Sequence, residues 1–166
     1  METAMTLKSF DDVLLLLGRM NYSWANTETL LIHIIAGLAG VDKETAIIIF
    51  LTLNTTRARF DLVDRLAKLE RVPGPARDEI LALTGEMKEI LKHKNHYNHS
   101  LYSFDEEGGH AKTILMRIAE TKQGIKFGKS QDLDDEEIER IRHSIRKIEE
   151  LNRTAWAIIL KNRFPV

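Results

Sequence analysis

The sequence predicts a mainly α protein: an antiparallel bundle of four to five helices with a small β-hairpin insert before the last helix. Three observations predict this class. Apolar residues recur at three- and four-residue steps through most of the chain. The breaks between these periodic segments are short, which favours antiparallel neighbours. One segment, about residues 102–131, loses the helical period and contains several glycines. A length of 166 residues fits one domain, which we expect to span 1–166.

The first two predicted helices are joined at a glycine. One continuous apolar stripe predicts a long first helix over residues 9–39, and Gly40 ends it. Asp42 can cap a second helix that reaches about Leu53. The Ile47–Leu51 part of this second helix is apolar all round, which predicts that it is buried.

The third and fourth helices are separated by two prolines. The third is predicted from about Thr56 to Arg71. Pro73 then prevents the third helix from continuing, and Pro75 starts the next helix because proline suits the first helical turn. The fourth helix continues to about Asn98.

The insert and the last helix have contrasting signals. We expect short strands at Thr113–Ala119 and Ile125–Phe127, which would form the hairpin. From His110 to Lys129 there are five basic residues and one acidic residue, which suits either contact with phosphate or a solvated edge strand. The last helix begins with a capping-box pattern, Asp134 as N-cap and Glu137 three residues later.

Composition excludes several classes of function. The 24 basic and 25 acidic residues give a net charge of −1, which excludes a grossly basic nucleic-acid coat but not a local basic patch. Without cysteine the chain has no disulfide, thiolate nucleophile or cysteine-ligated zinc. No apolar run approaches the ~20 residues that span a bilayer, and the N-terminal leucine run lacks the flanks of a signal peptide. We therefore expect a cytoplasmic protein with no membrane partner and no cofactor.

The end of the fourth helix is the most informative segment. Three of the six histidines fall between residues 93 and 99, among lysine and asparagine. At 100° per residue, Lys92, His96 and His99 gather on the outer side of the helix. Lys94 lies within the apolar stripe, and Asn95 is intermediate.

Two charged residues break the apolar pattern. Glu28 lies near the centre of the apolar stripe of the first helix, where an apolar residue is expected. Lys94 lies within the apolar stripe of the fourth helix. An isolated buried charge costs several kcal/mol, so each needs a partner. The opposite charges predict a buried Glu28–Lys94 ion pair, unless the lysine chain extends outward to water.

The outer cluster has three interpretations. It can be a solvated helix end, where lysine and histidine are favoured by the helix dipole. His93, His96 and His99 could bind a metal, but the chain has no His-Glu-x-x-His pattern and no cysteine, so we predict no metal site. Alternatively, His99 is an acid–base group beside cations that hold a phosphate.

The motif Lys94-Asn95-His96-Tyr97-Asn98-His99 resembles the signature of HEPN domains. That signature is an arginine, then a polar residue that is often asparagine, then a histidine after four to six intervening residues. The family is a helical bundle with the motif late in a core helix, and the overall pattern covers about residues 9–160. The segments 24–28 and 95–102 also resemble uncharacterised bacterial helical proteins of this size.

The resemblance implies a homodimer that pairs through the motif helices and forms a shared cleft for RNA or a nucleotide. Many members are metal-independent ribonucleases, and others are inactive binding or scaffolding domains. Carried over by position, Asn95 matches the polar residue and His99 the catalytic histidine. Lys94 stands where the family has arginine, with Lys92 as a second candidate. Lysine cannot make the planar bidentate contact that arginine makes to phosphate.

Further contacts would come from Lys92, His96 and Tyr102, which we take as binding residues beside the catalytic trio His99, Lys94 and Asn95. Two functions therefore stay open. The chain is either an RNA- or nucleotide-binding homodimer with weak or lost ribonuclease activity, or a non-catalytic interaction module whose polar cluster fixes the geometry of the dimer.

Overall fold

The fold is a helical bundle with a small antiparallel β region before the last helix, as predicted. The computed structural model describes residues 10–104, 111–115, 118–128 and 130–166. Within these ranges there are six helices: α1 (Phe10–Glu28), α2 (Leu31–Ala39), α3 (Lys43–Thr52), α4 (Thr56–Ala67), α5 (Gly74–Asn98) and α6 (Asp135–Lys161). The five predicted helices correspond to these six segments because the first is divided in two.

The predicted single helix over residues 9–39 was wrong at Thr29 and Leu30, which form a turn between α1 and α2. The Leu30 N–H bonds to the Thr27 carbonyl three residues earlier, at 3.2 Å. The Thr27 hydroxyl donates back to the Ser23 carbonyl, and the Thr29 hydroxyl to the Asn26 carbonyl. Such side-chain bonds compete with the helical ladder and often bend a helix. They supply a break that the apolar period does not reveal.

The other helix boundaries follow their local signals. Gly40 ends α2 in the left-handed region, with φ 69°, where a residue without a side chain costs least. Asp42 caps α3 by accepting the Thr45 N–H at 2.7 Å, and this bond lowers the pKa of the Asp42 carboxyl. α4 ends at Ala67, before the predicted Arg71.

α3 is less buried than its composition predicted. Ala46 and Phe50, four residues apart, are its buried side chains, whereas Ile48 and Leu51 are 62% and 64% exposed. Residues four apart share one face, so α3 packs by a single face against its neighbour α2. The predicted burial of all of Ile47–Leu51 was therefore wrong.

The insert contains more strands than one hairpin. Its strands are β1 (Ser100–Phe104), β2 (Ala111–Leu115), β3 (Ile118–Thr121), β4 (Gly124–Phe127) and β5 (Ser130–Asp132). β2 pairs antiparallel with β1 and β5, and β3 pairs with β4.

The predicted strand Thr113–Ala119 spans both β2 and β3, and residues 116–117 between them lie outside the described residues. The predicted strand Ile125–Phe127 lies within β4. Among the basic residues of the insert, Lys112, Lys122 and Lys126 are exposed. The other two basic positions, 117 and 129, lie outside the described residues.

The chain divides into two compact units, and α1, α5 and α6 contribute residues to both. One comprises Met1–Asn21 and Lys92–Ile145, and the other Tyr22–Leu91 and Arg146–Val166. The core of the first unit includes Val13, Met20, Tyr97, Ile138 and Ile141. The single domain over 1–166 stays a prediction.

The second unit has a larger core, built from α2, α3, α4 and the adjoining parts of the long helices. Its fully buried side chains include Leu31, Ile34, Phe60, Ile80 and Ile159. No helix in the described ranges is long and apolar enough to cross a membrane.

Candidate functional site

The cluster lies at the C-terminal end of α5 and in the turn that follows it. The His99 N–H bonds to the Asn95 carbonyl at 3.0 Å, so the helical hydrogen bonding extends to His99. Lys92 and His96 therefore share a side of α5, as their spacing predicts, and His99 is the first residue after the helix. Lys92 and His99 are exposed and His96 is half-buried. We call these three residues the basic face.

The other two predicted catalytic residues are less accessible. Lys94 and Asn95 are both half-buried, which fits their predicted places nearer the apolar stripe. Lys94 also takes part in a polar or electrostatic interaction of its own. The catalytic roles of His99, Lys94 and Asn95 stay predictions.

The helix carrying the basic face is anchored by a buried polar network. Tyr97 is 3% exposed, and its hydroxyl donates to Oε1 of Glu137 on α6. Oε2 of Glu137 accepts from Gln131 on β5 and from Arg140, each at 2.9 Å. Burial, and then the hydrogen bond to Glu137, raise the pKa of the Tyr97 phenol above its usual value. The network joins α5, β5 and α6 within the first unit.

The sequence assigned Glu137 to a capping box, and half of that motif is present. The Asp134 carboxylate accepts the Glu137 N–H at 2.8 Å and caps α6. The side chain of Glu137 accepts the hydrogen bond from Tyr97, which lies 40 residues earlier in the sequence. The sequence signal for this contact was Tyr97 itself, because a tyrosine at a core position needs a hydrogen-bond partner for its hydroxyl.

Tyr102, a predicted binding residue, has a structural contact. Its hydroxyl donates to the Tyr97 carbonyl at 2.8 Å, which ties β1 back to the end of α5. Burial, and then the charge of Glu137, raise the pKa of Tyr102 to about 12. The His96 ring lies edge-on to the Tyr97 ring, with centroids 5.2 Å apart. The Ser100 hydroxyl also donates to the His96 carbonyl.

A pair of amides that the sequence did not single out joins α1 to α5. The Asn21 amide donates to Oδ1 of Asn98 at 3.0 Å, and the Asn98 amide donates to Oδ1 of Asn21 at 2.8 Å. The pair lies on the surface of the first unit.

Glu28 is buried, as predicted, and its cationic partner is Arg59. Oε1 accepts from Arg59 and Oε2 from the Trp24 indole, each at 2.8 Å. The Arg59 side chain also donates to the Phe50 carbonyl and lies 4.0 Å from the centre of the Phe50 ring. The buried carboxylate thus has a charged partner without Lys94. The Glu28–Lys94 pair stays a prediction.

Within the described part of the chain, no group of three or more histidine, aspartate or glutamate side chains is arranged to hold a metal ion. No family model, curated protein or solved structure matches the chain.

Proposed function

We propose that this chain is a HEPN-like homodimer that binds RNA or a nucleotide through the basic face, with metal-independent ribonuclease chemistry centred on His99. The observation that supports the proposal is the basic face itself. Its lysine and two histidines lie at the end of α5 and in the turn that follows it, and both Lys92 and His99 are exposed. The strength of the ribonuclease activity depends on how well Lys94 replaces the arginine that the family has at this position in holding the phosphate.

The charges of the segment suit a phosphate ligand. Residues 92–99 contain two lysines, three histidines and no acidic residue. Lysine binds phosphate as a point charge, and imidazole changes its protonation near neutral pH. A local patch of this kind functions on a chain with a net charge of −1, because association depends on the field at the patch.

The proposed chemistry is an intramolecular transesterification. His99 accepts the proton of the ribose 2′-hydroxyl as that oxygen attacks the adjacent phosphorus. The bond from phosphorus to the 5′-oxygen of the next nucleotide breaks, and that oxygen leaves with the proton that His99 has taken up, which returns His99 to its starting state. Lys94 or Lys92 stabilises the charge that develops on the phosphoryl oxygens, and Asn95 positions the phosphate. The product is a 2′,3′-cyclic phosphate.

The proposal is tested by the anisotropy of a labelled single-stranded RNA as the full chain is added. We expect Lys92→Ala and His99→Ala to weaken binding, and Lys92→Ala to reduce the dependence of log K on log salt by ~0.7, the single-strand slope per phosphate contact. His143→Ala is the control, because His143 is an exposed histidine on α6 outside the basic face. Equal affinities for wild type and all three variants would contradict the proposal.

The second candidate, an interaction module, is favoured by Leu101. This residue lies on β1, two positions after His99, and is 53% exposed. Ile118 on β3 and Ile125 on β4 are exposed as well, and several exposed apolar side chains in one small region are typical of contact with another protein surface. Both candidates predict a particle of twice the 19.1 kDa chain mass in sedimentation. A dimer that Leu101→Lys dissociates, with no RNA affinity in wild type, would select the interaction module.

A further inference from the structure

The chain reverses direction after α6 through a residue in a strained conformation. Among the residues that the structure describes, Arg163 is the one residue other than glycine with a positive φ, 54°. The Phe164 N–H bonds to the Ile159 carbonyl at 3.0 Å, and the Arg163 N–H to the Leu160 carbonyl at 3.2 Å. This is the Schellman arrangement, in which glycine usually occupies the left-handed position because a side chain there is strained. The reversal brings the residues after Arg163 against α2.

A notch on α2 receives the ring of Phe164. The notch exists because residue 37 is a glycine. A β-carbon on Gly37 would lie 2.0 Å from Cδ1 of Phe164, so the ring occupies the space that a side chain would fill. Any residue other than glycine at this position would displace the ring.

His33 lies one helical turn before Gly37 and holds the residue that follows the phenylalanine. Nδ1 of the buried His33 ring lies 2.7 Å from the Pro165 carbonyl oxygen. Because a carbonyl can only accept, the hydrogen is on Nδ1 and His33 donates. The other side of the interaction is aromatic: the His33 and Trp156 rings have centroids 5.4 Å apart. We call His33, Gly37 and Trp156 the α2 notch.

The contacts with the α2 notch come from two consecutive residues. Phe164 supplies the ring and Pro165 supplies the carbonyl, and proline has no N–H that would need a partner. Peptide-recognition sites commonly combine hydrogen bonds to the main chain with pockets for particular side chains. The strain at Arg163 opposes docking of the chain's own segment, and a segment of another polypeptide does not require that reversal.

We propose that the α2 notch is a recognition site for a phenylalanine–proline segment of another polypeptide. The chain's own Phe164 and Pro165 occupy it as an internal competitor. A segment on a short tether acts at an effective concentration in the millimolar range, so an external segment binds weakly until the internal one is displaced. This site is independent of the proposed RNA binding at the basic face.

The test uses two capped peptides of the same composition. The probe has the sequence of residues 162–166, and the control peptide exchanges its phenylalanine and proline. Each is titrated into the ¹⁵N-labelled full chain carrying Phe164→Ser, which empties the notch, while the amides of α2 are followed. We expect the probe to shift the Gly37 amide and to bind at least about tenfold more tightly than the control peptide, because burial of a phenylalanine ring contributes that much.

The same titration of wild type measures the internal competition. Wild type should bind the probe at least about tenfold more weakly than the Phe164→Ser chain, because its own segment is tethered beside the notch. Equal affinity of the two chains for the probe would contradict occupation of the same site.

Three further substitutions, each combined with Phe164→Ser, locate the probe. Gly37→Ala should abolish binding, because the new β-carbon fills the place of the ring. Gly18→Ala is the matched control and should change nothing, since a β-carbon on Gly18 of α1 would meet no atom within 4 Å. His33→Phe keeps a ring beside Trp156 and removes the donor, so it should weaken binding about two- to tenfold, the usual effect of one hydrogen bond.

Arg163→Pro opens the notch by a second route. Proline cannot adopt a positive φ, so the chain cannot turn its own segment into the notch. This variant should bind the probe as Phe164→Ser does, and it decides the proposal if circular dichroism shows that Phe164→Ser is unfolded. Equal affinity for the two peptides, or no shift of the Gly37 amide in a folded opened variant, would overturn the proposal. So would undiminished binding in the chain that carries Gly37→Ala.

Discussion

At the level of single residues, Glu28 shows how the chain accommodates a charge in its core. The carboxylate is 8% exposed and is held by Arg59 and the Trp24 indole. Removing one member of a buried pair leaves an uncompensated charge. We expect Arg59→Met to lower the free energy of unfolding by about 3 kcal/mol, and Glu28→Gln with Arg59→Met together to cost less than the single changes combined.

A double-mutant cycle in urea measures this coupling. The matched control is the half-exposed pair of Lys147 and Glu86, whose charged atoms lie 2.7 Å apart. The control cycle should give at most about 1 kcal/mol, as surface pairs do. A Glu28–Arg59 coupling no larger than the control would contradict this account. The same cycle with Lys94→Met tests the predicted Glu28–Lys94 pair.

The two tyrosines near the basic face should make stability depend on alkaline pH. Their pKa values are raised above the usual 10.0 mainly by burial. Each phenol therefore stays protonated in the folded chain after it has ionised in the unfolded chain. Its contribution to the free energy of unfolding is complete below pH 10.0. That contribution is lost as pH rises through the pKa of the phenol in the folded chain, which for Tyr102 is about 12.

The expected result is a fall in the free energy of unfolding as pH rises from 10.0 towards about 12 that is smaller in the variant carrying Tyr97→Phe and Tyr102→Phe. Tyr22→Phe is the control, since Tyr22 is 70% exposed. If the double variant loses as much stability as wild type over this interval, the two phenols are not the source of the effect.

The burial of a single residue could be predicted from its own position in the sequence, but the residue that it contacts could not. The burial of Glu28 follows from its place in the stripe of α1. Its partner does not, because Arg59 lies 31 residues away on α4 and periodicity carries no information about which helices meet. The Tyr97–Glu137 contact was missed for the same reason, across 40 residues.

At the level of elements, the helix ends that a capping side chain sets were predicted. The break in the first predicted helix, where side-chain hydroxyls compete for backbone carbonyls, was not. Asp42 and Asp134 cap α3 and α6 as their sequence patterns indicate. The break at Thr29 and Leu30 has no glycine or proline to mark it, and depends on threonine hydroxyls that bond to backbone carbonyls. Lys92 and His96 were predicted to share one side of α5 because helical spacing alone determines it.

α3 carries the clearest element-level test. Ile48 and Leu51 are exposed, so replacing either with glutamine should change the free energy of unfolding by no more than about 0.5 kcal/mol. Phe50→Ala, on the buried face of the same helix, should cost about 3–5 kcal/mol. Chemical denaturation measures both. A loss at Ile48 or Leu51 as large as that at Phe50 would mean that this face is covered in solution.

At the level of the whole molecule, the proposed function depends on a small part of the chain. The basic face is one end of one helix, and Tyr97, Tyr102 and Glu137 anchor that end to β1, β5 and α6. A rigid anchor of this kind keeps reacting groups in a fixed geometry, which is a large part of what an active site contributes to rate.

The most direct test of the central claim is cleavage of single-stranded RNA in EDTA. The account predicts metal-independent cleavage that leaves a 2′,3′-cyclic phosphate and falls at least ~10²-fold in His99→Ala, the usual size of a general acid–base contribution. His143→Ala should cut like wild type, and Lys94→Arg should cut faster because arginine restores the bidentate phosphate contact. Absence of cleavage by both wild type and Lys94→Arg, or full activity in His99→Ala, would contradict the account.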